Sequence, residues 1–200
     1  HIINMINAGA NIIDVGGEST RPGSKTVLTN MEWKRVKNIV KNFKKKHKKT
    51  CLSIDTRKSD IMIKAIKHGA DLINDVSGFN YDSKTIFVLK KYKIPFVIHH
   101  MQGTPKIMQK KPSYKNVLLD IYDFFENKIK KMRHIGIKHD NIILDPGIGF
   151  GKNLKHNITL LNNISIFHSL GFPIMLGTSR KKFIKDLSRN NDSKERIGGT

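Results

Sequence analysis

Cysteine is almost absent: Cys51 stands alone in 200 residues. An intrachain disulfide framework is therefore excluded, which fits a reducing, cytoplasmic setting. Cys51 opens an apolar run, so it reads as a small core residue, not a reactive thiol. Acidic residues are scarce too, 16 against 37 Lys and Arg, leaving a formal net charge of +21. No apolar stretch approaches the ~20 residues of a membrane span, so no membrane partner is expected. Residues 1–9 lack a basic segment ahead of an apolar one and read as an amphipathic helix, not a signal peptide. With 38% hydrophobic residues, residues 1–200 can bury one sizeable core and are expected to form a single domain.

The lysines are spread over nearly every predicted helix, for example Lys34, Lys41, Lys64, Lys90 and Lys130. The one dense run, residues 44–49, closes a helix, where cations suit the C-terminal dipole. Solvated helix faces explain the charge, and no nucleic-acid partner is expected. The competing reading, a basic nucleic-acid-binding domain, would show steeply salt-dependent affinity and indifference to the carboxylates discussed below.

What the chain does contain is a repeated unit: a short apolar run, a polar residue, a turn, then helix-like patterning. Predicted strands lie at residues 11–15, 52–55, 71–76, 95–99, 141–145 and 173–177. Predicted helices lie at about 32–46, 59–68, 83–92, 114–135 and 158–170, with another beginning near Ser179. Continuous apolar strands with helical crossovers imply a parallel sheet covered by helices. Polar groups recurring at strand ends favour a (β/α)₈ TIM barrel over an open doubly wound sheet, which would gather them at one switch point. Only about six strands are countable, so the barrel is expected to be incomplete.

Several segments carry chemistry. Residues 16–23, GGESTRPG, place the hydroxyl of Thr20 beside the guanidinium of Arg21, suited to a phosphate or carboxylate. The plainer reading is a surface loop with a fold-stabilising Glu18. Residues 145–152, DPGIGFGK, are not a Walker A loop, because Asn153 follows Lys152, and their glycine spacing is not the dinucleotide fingerprint. What remains is the strand-end carboxylate Asp145 and a glycine loop carrying Phe150, suited to a flat heteroaromatic ligand. Asp55, Asn74 and Asp145, if convergent, can hydrogen-bond the amino and ring N–H groups of a pterin- or guanine-like ring. Singly, each could be a helix cap. Asp14 and Asp75 are assigned structural roles. His99 and His100 are adjacent on a strand and so face opposite ways; a zinc site needs three convergent ligands, so they are not read as a metal pair. Ser179-Arg180-Lys181-Lys182 at a helix start suits an anion or substrate carboxylate. No nucleophile elbow, G-x-S-x-G, occurs.

In order along the chain, DVGGESTRPG (14–23), SIDT (53–56), INDVSG (73–78), HMQGTP (100–105), LDPGIGFGK (144–152), GTSRKKF (177–183) and RIGGT (196–200) resemble the dihydropteroate synthase family, pterin-binding enzymes of folate biosynthesis. The resemblance implies a TIM barrel whose first and eighth strands are missing from residues 1–200, which alone should not close. It implies that Asp55, Asn74, Asp145 and Lys181 bind the pterin, with Asp55, Asp145 and Lys181 catalytic. Thr20 and Arg21 would lie on a loop closing over the site, and Phe150 and Ser179 would border the p-aminobenzoate pocket. It implies Mg²⁺ as cofactor, with its asparagine ligand expected before residue 1 and no metal ligand within 1–200. The substrates would be 6-hydroxymethyl-7,8-dihydropterin pyrophosphate and p-aminobenzoate, and the full-length protein would be a homodimer. Where relatives often place an apolar residue before the HMQG histidine, this chain has His99. The alternatives are a pterin-binding methyltransferase domain and an inactive relative; the STRPG and S-R-K segments favour the synthase.

Overall fold

The computed structural model describes residues 1–184 other than Pro22, Pro105, Lys106, Arg180 and Lys182. A short helix α1 (Ile2–Asn7) leads into strand β1 (Ile12–Gly16). Strand and helix then alternate: α2 (Thr29–Lys46), β2 (Cys51–Asp55), α3 (Ser59–Lys67), β3 (Leu72–Asp75), α4 (Thr85–Tyr92), β4 (Phe96–His99), α5 (Val117–His134), β5 (Ile142–Asp145) and α6 (Leu154–Asn162). Among the described residues the five strands pair in parallel in chain order, β1 to β5. A doubly wound sheet reverses its order at a switch point; this sheet does not, which is how the wall of a (β/α) barrel is built. β1 and β5 do not pair with each other, so the barrel is incomplete over these residues.

The helices form because their apolar side chains repeat at three- and four-residue steps. On α2 these are Val36, Val40 and Phe43; on α5 they are Ile121, Phe125, Ile129 and Met132, all buried. Asn116 caps α5 by accepting from the backbone of Leu118 and Leu119. The helices cover one face of the sheet, where Ile13, Leu52, Ile54, Ile73, Phe96, Ile98, Ile142 and Leu144 join the main core. Each such fully buried side chain stabilises the fold by about 1.5–3 kcal/mol.

The other face is what positions the site. Asp55 stands opposite Gly16 on one side and Asn74 on the other. Asn74 stands opposite Val97, and Val97 opposite Ile143. Side chains alternate along a strand, so His99 and Asp145, two residues further on and paired with each other, project from that same face.

Two expectations need correction, and a third falls largely outside the described residues. The sixth strand, at 173–177, is reduced to one bridge between Leu144 and Ile174, because Pro173 has no N–H to donate and only two backbone hydrogen bonds join the segment to β5. The helix expected over 158–170 is two elements. α6 starts earlier, at a capping box formed by Asn153 and His156, and a 3₁₀ segment, Ile164–Leu170, follows the poor helix formers Asn162 and Asn163. The helix predicted from Ser179, and the RIGGT motif, lie largely outside the described residues; Ser179 itself sits in a turn.

Candidate active site

Asp55 ends β2, Asn74 is the penultimate residue of β3, and Asp145 ends β5. The register sends all three to the face away from the helices. Asn74 is held from β1: its Nδ2 donates to Asp14 Oδ2 at 3.1 Å. Its Oδ1 is buried with no hydrogen-bond partner among the described residues. A buried acceptor left in that state costs about 1–3 kcal/mol, which a ligand N–H would recover. Burial pushes the Asp55 pKa well up, and the carboxylates of Asp14, Asp75, Glu32 and Glu18 add to the effect. Such a group favours a ligand that brings donors or positive charge. Asp75, by contrast, faces the helices and shapes a turn, accepting from the Ser77 backbone N–H at 2.8 Å and from its hydroxyl at 2.6 Å.

A second cluster surrounds Asp145. Its Oδ1 accepts from the Gly147 N–H at 2.7 Å, fixing the carboxylate from the loop that follows it. That turn requires glycine: Gly147 has φ +68°, and a Cβ there would lie 1.9 Å from the His100 carbonyl oxygen. The Phe150 ring meets the His99 ring edge-on, centroids 4.6 Å apart. Lys181 lies 4.7 Å above the Phe150 ring and donates to the Ile148 carbonyl. Burial lowers the Lys181 pKa, with Asp145 opposing.

The two histidines part company. His99 projects beside Phe150, its Nδ1 donating to the Val76 carbonyl at 3.0 Å and its Nε2 3.9 Å from Asp145. Burial, with Asp145 opposing and Lys152 and Lys181 assisting, takes its pKa down to about 4, so the ring is neutral. His100 turns to Lys152 instead, Nζ to Nδ1 3.0 Å. Among the described residues no group of three His, Cys, Asp or Glu side chains could hold a metal ion.

In the loop after β1, Glu18 takes the fold-stabilising role. Glu18 anchors it, accepting from the Val27 N–H at 2.9 Å, Arg57 at 2.9 Å and Lys58 at 2.8 Å. Burial would raise the Glu18 pKa, but the hydrogen bonds from Arg57 and Lys58 outweigh it and hold it at about 2. Lys58 also pairs with Glu32 at the start of α2, which accepts from Thr56 at 2.5 Å. Arg57 stacks over Tyr81, 3.9 Å from the ring centroid. Thr20, Arg57, Ser77 and Tyr81 line a cavity of about 590 Å³ at this end of the sheet. The cavity adjoins the strand-end set without including Asp55, Asn74 or Asp145. Arg21 and Ser179 are exposed, and no side-chain contact among the described residues joins them to that set. Arg57, Lys58 and Glu32 escaped the sequence reading. The basic pair directly after SIDT is the only local signal, and its partners lie 26 to 40 positions away.

Known proteins resemble this chain along its whole length. A family model described as pterin binding enzyme matches residues 1–200. The dihydropteroate synthase of Clostridium beijerinckii is 43% identical over 200 residues, covering 100% of this chain and 71% of the relative. The Yersinia pestis dihydropteroate synthase, solved with a sulfonamide drug complex, superposes with a TM-score of 0.95 at 37% identity, covering 100% of this chain and 71% of that one. The Xanthomonas albilineans enzyme in complex with 7,8-dihydropteroate superposes with a TM-score of 0.88 at 27% identity, covering 100% and 70%.

Proposed function

The chain belongs to the pterin-binding enzyme family, and from that membership and the strand-end geometry we propose how its site works. It is a dihydropteroate synthase of folate biosynthesis, a transferase that joins 6-hydroxymethyl-7,8-dihydropterin pyrophosphate to p-aminobenzoate and releases pyrophosphate and 7,8-dihydropteroate. The observation that supports this site best is the convergence of Asp55, Asn74 and Asp145 on one face, with the buried Asn74 Oδ1 lacking a partner.

In this proposal the amino and ring N–H groups of the pterin donate to Asp55 and Asp145, and Asn74 Oδ1 accepts a further N–H. The difficult step is breaking the carbon–oxygen bond to pyrophosphate. As that bond opens, positive charge develops on the pterin methylene. Asp55, surrounded by Asp14, Asp75, Glu32 and Glu18, already sits in a negative field that stabilises such charge. Lys181, beside Phe150, faces the opposite charge on the leaving group. Phe150 and Ser179 border the p-aminobenzoate pocket, whose aniline nitrogen needs positioning more than deprotonation. Thr20 and Arg21 close over the site from the Glu18-anchored loop. The mechanism is ionisation-first, with no enzyme nucleophile, and trapping a covalent enzyme–pterin adduct would contradict it.

Mg²⁺ remains part of the proposal; among the described residues no group of three His, Cys, Asp or Glu side chains could hold a metal ion, and no step is routed through it. No helix among the described residues is long and apolar enough to cross a membrane. A cytoplasmic setting without nucleic-acid partners, supported by the single cysteine and the dispersed lysines, and the homodimer that the family resemblance implies complete the proposal. The test is incubation of the intact protein with the pterin pyrophosphate, p-aminobenzoate and Mg²⁺. Formation of 7,8-dihydropteroate is the expected result; turnover of a methylated folate in its place would point to the methyltransferase reading.

A further inference from the structure

Among the described residues Lys152 is the most enclosed cation at this end of the sheet, 3% exposed. Its Nζ has three acceptors, the His100 Nδ1, the Gly147 carbonyl and the Phe150 carbonyl, each at 3.0 Å. Three acceptors around one nitrogen match the three N–H bonds of an ammonium group. The two carbonyls belong to the glycine loop. Gly147 donates its N–H to Asp145, and Phe150 presents its ring to His99 and Lys181. His100 lies on the far side of the loop, locked edge-on against Phe124 with centroids 4.9 Å apart.

We propose that Lys152, held by His100, is a positioning residue for the reaction: its ammonium group ties the loop carbonyls to the end of β4 and so fixes Asp145 and Phe150 relative to each other. The loop needs such a tie because Gly147, Gly149 and Gly151 all adopt positive φ and leave it little stiffness of its own. Lys152 meets Phe150 only at its backbone carbonyl and bonds no side chain assigned to substrate, so it acts through the loop. The inference rests on the reading of Asp145 and Phe150 as substrate-binding.

The tie is complete only while Lys152 is protonated, since a neutral amine has two N–H bonds for three acceptors. Burial lowers its pKa to about 7, with Asp145 opposing and Lys181 adding to the shift. The other titratable groups around it are His99, His100, His156 and Tyr114. Since the ammonium is lost as pH rises, the tie loosens on the alkaline side.

The test compares the intact protein with Lys152→Met, Lys152→Arg and, should the methionine variant fail to accumulate, the uncharged Lys152→Gln. Lys152→Met is expected to lower kcat/KM about a hundredfold, the scale of a small misplacement of bound groups, and to raise the KM for p-aminobenzoate. Wild-type kcat/KM should decline as pH rises past about 7. Lys152→Arg, which stays protonated, should retain most activity and lose that decline, separating Lys152 from Lys181. Amide hydrogen exchange of residues 147–151 should quicken in Lys152→Met without substrate present. Unchanged exchange, or an unchanged p-aminobenzoate KM, overturns the proposal. If wild type forms no product, the function assigned above fails, and the exchange measurement still decides whether Lys152 ties the loop.

Discussion

Asp14 on β1 reaches across β2 to Asn74 on β3, its Oδ2 accepting from the Asn74 Nδ2 at 3.1 Å. The contact sets which end of the amide is free: with Nδ2 engaged, the buried Oδ1 is the atom offered to a ligand. Asp14→Ala removes this orientation and is expected to weaken binding of the pterin pyrophosphate about fivefold, the worth of one ordinary hydrogen bond. Isothermal titration against wild type checks it, and equal affinities would show that Asn74 orients itself.

Asp145→Asn keeps an oxygen for the Gly147 N–H but removes the negative charge. Loss of a charged group aimed at a developing cation costs about 10²–10³ in kcat. The thermal midpoint should move by only a few degrees, since among the described residues the side chain makes one hydrogen bond within the fold. Steady-state kinetics and a melting curve on the same preparation separate the two effects.

Glu32 is fully buried against Lys58 and Thr56. Truncating it to alanine leaves Lys58 half-paired in the interior and should cost about 3–5 kcal/mol. Equilibrium urea unfolding reads this directly. A loss below about 1 kcal/mol would mean that Glu18 alone satisfies Lys58.

Glu18 carries an acid-sensitive share of stability. Its folded pKa, about 2, lies below the ordinary 4.5. The stabilisation is therefore complete above pH 4.5 and is lost as pH falls towards 2. The stability gap between wild type and Glu18→Gln should be widest near neutrality and narrow across that window, as measured by urea midpoints at stepped pH.

His99 works in a higher window. Its folded pKa, about 4, lies below the ordinary 6.5, so the folded state resists protonation and loses stability as pH falls from 6.5 to 4. Replacing it by leucine should abolish roughly 2 kcal/mol of the stability lost between pH 7 and pH 5. His100, lowered to about 2, contributes a further loss that the variant retains.

Much of this was legible in residue order, because the relevant physics is local. A short apolar run ending in Asp, Asn or His marks a strand and its functional end, and at 145–153 the Asn after Lys152 and the glycine spacing ruled out two nucleotide loops. The misplaced start of α6 is also local: the Asn153–His156 capping box was there to be read. The side-chain partnerships were not legible. Glu18 meets Lys58 across 40 positions, and Lys152 meets His100 across 52. Such pairs leave no periodic signal, since each depends on which strands become neighbours.

The sequence by itself determined the alternation of strand and helix, the parallel sense of the sheet and the identity of the strand-end groups, all consequences of apolar spacing and turn chemistry. Tertiary structure alone decided which groups share a face. Pairing register sent Asp55, Asn74, His99 and Asp145 inward and Asp75 outward, because a one-residue shift along a strand reverses the side on which a side chain emerges.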